Sequence, residues 1–175
     1  TSIGTPDLVA SYGGDANYLE SQLTISGPVV IAADTSIQNV IINPQTVVVG
    51  QPTLITLDVV ATLPGSGTPS GTVVASNGSD SCEITLVDGS GQCELTSTAP
   101  GQPDLNLSYS GETNFNASDL IVSGPLVEKA VTSLLVTSAD LASVYGQPVS
   151  FMAQVSVNDP GTGTPSGMVQ FYLDG

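Results

Sequence analysis

The chain has 175 residues, with sixteen Asp and Glu against one Lys, no Arg, no His and no Trp, for a formal net charge of −15. Such a field repels nucleic acid and anionic membrane, no cationic set is present to neutralise phosphates, and the missing imidazole excludes Ser-His-Asp, Cys-His and zinc-hydrolase sites within the chain. Charged residues make up only 10% and hydrophobic residues 40%, so a disordered acidic tail is excluded as well, and a bulk of Thr, Ser, Val, Gly, Leu and Asn suits strands and turns.

In chain order, residues 1 to 34 read as the last two strands of a β-unit. Strand-like alternation to Tyr12 ends in the turn Tyr12-Gly13-Gly14-Asp15-Ala16-Asn17-Tyr18. Turn punctuation then predicts strand A at Ser36 to Ile42, a continuation at Thr46 to Val49, B at Thr53 to Leu63 and C at Gly71 to Ser76. D follows at Ser81 to Val87, E at Gln92 to Ser97, F at Asp104 to Tyr109 and G at Asp119 to Val127. In B, Thr53, Ile55, Leu57, Val59 and Ala61 share one face; in F, Leu105, Leu107 and Tyr109 do. From Thr132 the pattern starts again, with Val149, Phe151, Ala153, Val155 and Val157 on one face and a third strand expected at Met168 to Tyr172. The agreement in parity between the two B strands identifies the core face.

These echoes form an internal repeat. The segment Gly4 to Tyr12 returns as Gly101 to Tyr109, an offset of 97 (109 − 12), and Gly67-Thr68-Pro69-Ser70-Gly71 returns at Gly163 to Gly167, an offset of 96 (163 − 67). One residue has been gained or lost between Ser36 and Gly50. A period this long exceeds the ~20–50 residues of a solenoid repeat and fits a string of separately folded domains. The expected organisation is a complete repeat at 35 to 131, the end of a preceding one at 1 to 34 (strands F and G), and the start of a following one at 132 to 175 (strands A to C), in a piece of a longer polypeptide. The end pieces each expose half a core and are expected to fray or to pair between molecules. No Gly/Ser tether separates the repeats; joints of a few residues containing Pro and β-branched side chains predict a semi-stiff rod.

The turn Tyr109-Ser110-Gly111-Glu112-Thr113-Asn114-Phe115 and its copy at Tyr12 to Tyr18 resemble the Tyr-x-Gly-Asp-x-Asn-Phe/Tyr signature of bacterial immunoglobulin-like repeat domains. The resemblance extends to Gly50-Gln51-Pro52 before strand B and to the Gly-Thr-Pro-Ser-Gly runs before strand C, and so spans nearly the whole chain. Glu112 departs from the signature, where Asp15 keeps it. The resemblance implies an all-β, antiparallel immunoglobulin-like sandwich in tandem, within a large secreted or cell-surface bacterial protein, often an adhesin. In physical terms, Tyr12 and Tyr109 offer a large apolar body and a hydroxyl for backbone at the sandwich end. Gly14 and Gly111 permit the turn, Asn17 and Asn114 suit left-handed or self-bonding turn geometry, and Tyr18 or Phe115 plugs the core.

Two further sets of residues are candidates. Cys82 and Cys93 flank a Gly-rich hairpin tip between D and E; in an extracellular module the pair reads as a disulfide, the alternative being two buried free thiols. Asp15, Glu20 and Asp34 in one copy and Glu112, Asp119 and Glu128 in the next recur near the F–G turn and the joint. There carboxylates and backbone carbonyls could share Ca²⁺, or simply form a solvated acidic surface. No cofactor besides that calcium is indicated. A glycosidase-like carboxylate pair lacks aromatic context in a chain with 5% aromatics, so a non-enzymatic protein is expected. The function expected is a stalk or spacer of a bacterial surface or secreted adhesin-like protein, whose partners are its own neighbouring repeats and no membrane. The alternatives are an Ig-like module binding glycan or host protein, and an accessory domain of a large extracellular enzyme.

Overall fold

A computed structural model of the chain describes residues 3–140 and 142–172, and all of their regular structure is β. The outer limits of the expected ranges 1–34 and 132–175 therefore lie outside the described residues. In chain order the strands are β1 (Asp7–Tyr12), β2 (Ser21–Ser26), β3 (Thr35–Asn43), β4 (Thr46–Val48), β5 (Pro52–Ala61), β6 (Gly71–Ser76) and β7 (Ser81–Leu86). They continue as β8 (Ser90–Thr96), β9 (Asp104–Tyr109), β10 (Ser118–Ser123), β11 (Leu126–Glu128), β12 (Thr132–Ser138) and β13 (Phe151–Val157).

Strands β3 to β11 build a two-layer sandwich. One layer has the order β3-β5-β8 and the other β10-β9-β6-β7, all antiparallel. Alternation along β5 turns Thr53, Ile55, Leu57 and Val59 inward, where they meet Val73 and Ala75 of β6, Ile84 of β7, and Leu105, Leu107 and Tyr109 of β9. Each fully buried Ile, Leu or Val contributes about 1.5–3 kcal/mol on leaving water, which is what holds two otherwise marginal sheets face to face.

Four details differ from the sequence-based expectations. Strand B ends at Ala61, and Leu63 beyond it is exposed on the loop that follows. Strand G is two strands: Gly124-Pro125 interrupts it, and β11 leaves the β9 edge to pair in parallel with β4, since proline cannot donate to a ladder. The D–E unit is not an in-sheet hairpin. Asp88 and Gly89, both at positive φ, make a two-residue turn closed by reciprocal Val87 and Ser90 backbone bonds; beyond it β7 and β8 diverge into opposite layers. Finally, Met168 to Tyr172 forms no strand. In the complete copy strand C is central, bonded to β9 and β7, and no such neighbours flank it in the third copy among the described residues.

The end segments keep the pairing of the complete copy. In β1–β2, Asp7 faces Ser26 and Tyr12 faces Ser21, the same register as Asp104 with Ser123 and Tyr109 with Ser118. In β12–β13, Thr132 faces Val157 and Leu135 faces Gln154, matching Thr35 with Ala61 and Gln38 with Asp58. At that point the copies part. Between Gln38 and Ile41, β3 carries a bulge, with Asn39 at φ 51°, whereas β12 continues unbroken to Ser138 opposite Phe151. The residue that changes the repeat offset from 97 to 96 is thus the extra residue of this bulge. Asn tolerates the left-handed backbone it needs, and its side chain donates to the Asp58 carboxylate at 2.7 Å.

Candidate functional site

Of the residues singled out from sequence, Tyr109, Gly111, Glu112, Asn114 and Phe115 gather at one end of the sandwich, around the turn from β9 to β10. Tyr109 closes β9, is fully buried, and donates its hydroxyl to the Ser70 carbonyl at 2.7 Å, just ahead of β6. Burial, and secondarily the Glu112 carboxylate, push its phenol above the ordinary range. Gly111 follows at φ +75°, and a Cβ there would lie 2.8 Å from the Phe115 carbonyl and the Ala117 nitrogen, so the turn admits no side chain. Glu112 and Phe115 exchange backbone hydrogen bonds of 2.9 and 3.2 Å, which drives the Phe115 ring into the base of the core, 7% exposed.

Glu112 accepts the Ser70 hydroxyl at 2.6 Å and the Ser70 backbone N–H at 3.3 Å. Ser70 therefore joins the F–G turn to the entry of β6 three times, once as acceptor and twice as donor. In the first copy the shorter Asp15 turns inward instead, accepting the Asn17 and Tyr18 backbone N–H groups at 2.8 and 3.0 Å and the Tyr12 hydroxyl at 3.0 Å. The Asn17 N–H, and then the Tyr12 hydroxyl, hold its carboxyl below the usual range. Glu112 thus ties two strands together where Asp15 caps its own turn, and no counterpart of Ser70 lies beside Asp15 among the described residues. Gly14 repeats Gly111 at φ +71°, while Tyr18 is exposed.

The asparagines depart from expectation. Neither Asn17 nor Asn114 has a left-handed backbone, and among the described residues neither asparagine side chain makes a hydrogen bond, Asn17 contributing only its backbone N–H to Asp15. Asn114 contributes its main chain, its carbonyl accepting the Ala33 N–H at 2.9 Å, and the side chain that works is Asn116, donating to the Asp34 carboxylate at 2.8 Å. Backbone demand from the incoming strand fixes this segment, so the side chain of Asn114 has no turn to cap. The six acidic candidates are spread apart: Asp15, Asp34 and Glu112 have the partners just described, Asp119 lies on β10, Glu128 on β11 and Glu20 before β2. Among the described residues no three His, Cys, Asp or Glu side chains converge.

At the opposite edge Cys82 on β7 and Cys93 on β8 form a disulfide, with Cα atoms 6.1 Å apart. Because these strands are the open edges of opposite layers, the bond closes one side of the sandwich. Near it is a clasp that sequence reading missed. Asn77 Oδ1 accepts the Asp80 N–H at 2.7 Å, and Asp80 in turn accepts the Thr98 N–H and hydroxyl, both at 2.9 Å. Asn-x-x-Asp in a Gly-Ser turn was the available signal. The Thr98 N–H bond is the main reason the Asp80 carboxyl lies below its ordinary range.

A double layer with Greek-key pairing, a buried Tyr ending strand F whose hydroxyl bonds backbone before strand C, and a parallel β4–β11 pairing define an immunoglobulin-like unit. The profile described as bacterial Ig-like domain (group 3) matches residues 40–123. Those residues are a bacterial Ig-like domain. No curated protein matches the chain.

Two short segments flank the Ig-like domain, the first and second joints of the expected organisation, and the sequence repeat makes them alike. Ahead of it Thr62 N–H donates to the Asp34 carbonyl, and behind it Asn158 N–H donates to Val131, both at 2.8 Å. A Cβ on Gly65 would lie 2.6 Å from that of Ala33, and one on Gly161 the same distance from that of Ala130. At the second joint a groove of about 620 Å³ is lined by Val49, Thr98, Pro100, Lys129 and Pro165. The pairs Ala33/Ala130 and Gly65/Gly161 follow the 97 and 96 offsets and were visible in the sequence. Their contact was not, because nothing local distinguishes them from other small residues.

Proposed function

We propose that the chain is a section of an extended spacer built from tandem Ig-like modules, belonging to a bacterial surface or secreted protein. The observation that carries this reading is the shared register: β1–β2 pair as β9–β10 do, and β12–β13 begin as β3–β5 do, so the flanking segments are built to be neighbouring copies of the same module. On this reading 35–131 is the autonomous unit, the joints set direction, and the number of copies sets reach. A disulfide belongs to an oxidising compartment, which supports an extracellular location, and a high negative charge keeps a long array soluble and self-repelling. The Ig-like family is typically non-catalytic, and the module's role is mechanical. No helix among the described residues is long and apolar enough to cross a membrane.

Small-angle scattering of the 175-residue chain tests the reading. A compact globule of this length has a radius of gyration of about 16 Å; the spacer is expected to exceed that clearly, with a pair-distance distribution skewed to long distances. A value near 16 Å would overturn it.

A further inference from the structure

The second joint holds a contact between the Ig-like domain and the loop after β13. Thr162 donates its hydroxyl to the Gly50 carbonyl at 2.8 Å, and its backbone N–H points at the Val49 carbonyl at 3.4 Å. The seat for this tooth is rigid: Val49 N–H is bonded to the Glu128 carbonyl at 2.9 Å and Gly50 N–H to Ser97 at 3.0 Å. It is also shaped for close approach, since a Cβ on Gly50 would run into the Thr162 carbonyl and hydroxyl, and one on Gly161 would lie 3.2 Å from the Val49 carbonyl.

We propose that Gly50 and Thr162 are the two halves of a docking surface whose partner is the adjacent module of the same fold, holding successive modules in a fixed relative orientation. Both halves recur along the chain. Gly146 occupies the position of Gly50 with φ +84° against +83°, and a Cβ there would meet nothing within 4 Å among the described residues. Ser66 occupies the position of Thr162 and keeps the hydroxyl. Each module thus presents a seat at one end and a tooth at the other, a heterologous contact that propagates linearly instead of closing on itself. The contact is small, but a joint of a few residues keeps the partners at high effective concentration, so little intrinsic affinity is needed. This inference rests on the spacer reading and adds to it the source of stiffness.

The test is residual dipolar coupling on the intact ¹⁵N-labelled chain, comparing amides of β3 to β11 with those of β12 and β13. In the wild type both sets are expected to fit one alignment tensor. Thr162→Val removes the hydroxyl without touching the Ig-like domain, and Gly50→Ala obstructs the seat; both are expected to shrink the β12–β13 couplings relative to the domain, a single net hydrogen bond being worth about a five-fold change in the docking equilibrium constant. Gly146→Ala is the matched control, with the same backbone strain and no neighbour, and should leave the ratio unchanged. Couplings already averaged in the wild type, an unchanged ratio in Thr162→Val, or an equal loss in Gly146→Ala would each overturn the proposal. A compact chain in scattering sinks the spacer reading instead, whereas an elongated chain with an averaged joint sinks only this one.

Discussion

Leu8 and Leu105 occupy the same place in the repeat, on strands with the same register, yet Leu8 is 55% exposed and Leu105 is fully buried. Tyr12 and Tyr109 differ in the same way, at 46% and 0%. Local sequence suffices to make the strand, the hairpin and even the turn glycine, because those depend on alternation and φ/ψ preference alone. Burial depends on the opposing layer, which β3, β5 and β8 supply to Leu105 and which nothing among the described residues supplies to Leu8. The tyrosine hydroxyls respond accordingly: Tyr109 reaches the Ser70 carbonyl, and Tyr12, with no strand C beside it among the described residues, turns back on Asp15. The comparison separates what a segment of this chain encodes from what its neighbours confer.

The most forceful way to break that comparison is to truncate both leucines. Leu105→Ala should cost about 2–5 kcal/mol, the range for emptying a packed core site, and Leu8→Ala should change the main unfolding transition by less than about 0.5 kcal/mol. Urea melts followed by circular dichroism measure both. Comparable losses would show that the first hairpin is packed in solution, and the contrast between copies would fall.

Next in size is the disulfide, which belongs to the complete copy. Cys82→Ala/Cys93→Ala should lower stability by roughly 2–3 kcal/mol, the chain-entropy value for so short a loop, with no change in amide exchange of β1–β2 or β12–β13. Exchange that rises in the end hairpins as well would mean that they share the cooperative unit of the Ig-like domain.

The pattern of successes and misses in the sequence reading has the same origin. Strand F was legible to the residue, because Leu105, Leu107 and Tyr109 alternate with Asp104, Asn106 and Ser108 between clear turns. The pairing of Cys82 with Cys93 was legible as chemistry, but not as a link between layers, since the Asp88-Gly89 turn looks the same whether its strands stay together or part. The split of strand G at Gly124-Pro125 was written in the proline, yet its parallel partner β4 lies some eighty residues earlier. Ser70, which serves both Tyr109 and Glu112, gave no signal at all: a serine between Pro69 and Gly71 reads as an ordinary turn residue. The contact of Thr162 with Gly50 spans 112 positions and is beyond any local pattern.

A smaller effect sharpens the role of the tyrosines. Tyr109→Phe leaves the buried ring in place and removes only the bond to Ser70, so the expected loss is about 1 kcal/mol. Tyr12→Phe should leave the main transition unmoved, because its hydroxyl bonds an exposed carboxylate within its own turn. Thermal melts of the two variants suffice, and equal shifts would remove the distinction between the copies.

The smallest effect is electrostatic and has a definite sign. The carboxyls of Asp80 and Asp58 are depressed in the folded state, Asp80 first by the Thr98 N–H and Asp58 first by the Ser90 hydroxyl and then by Asn39. A depressed folded value means that the stability these groups contribute is present above the unfolded carboxylate range, near pH 3.9. It is lost as the pH falls through the lower folded value. Asp80→Asn should therefore be less stable than the wild type at neutral pH and match it near pH 2. The difference at neutral pH should stay under about 1 kcal/mol, because both groups are solvent-screened and the variant relieves a little of the net repulsion. Asp15 is depressed as well, but it sits in the hairpin without an opposing layer, so Asp15→Asn should leave the main transition unchanged at either pH. Urea midpoints for the two variants at pH 7 and pH 2 decide the matter: a pH-dependent loss in Asp15→Asn would mean that the first turn is coupled to the Ig-like core.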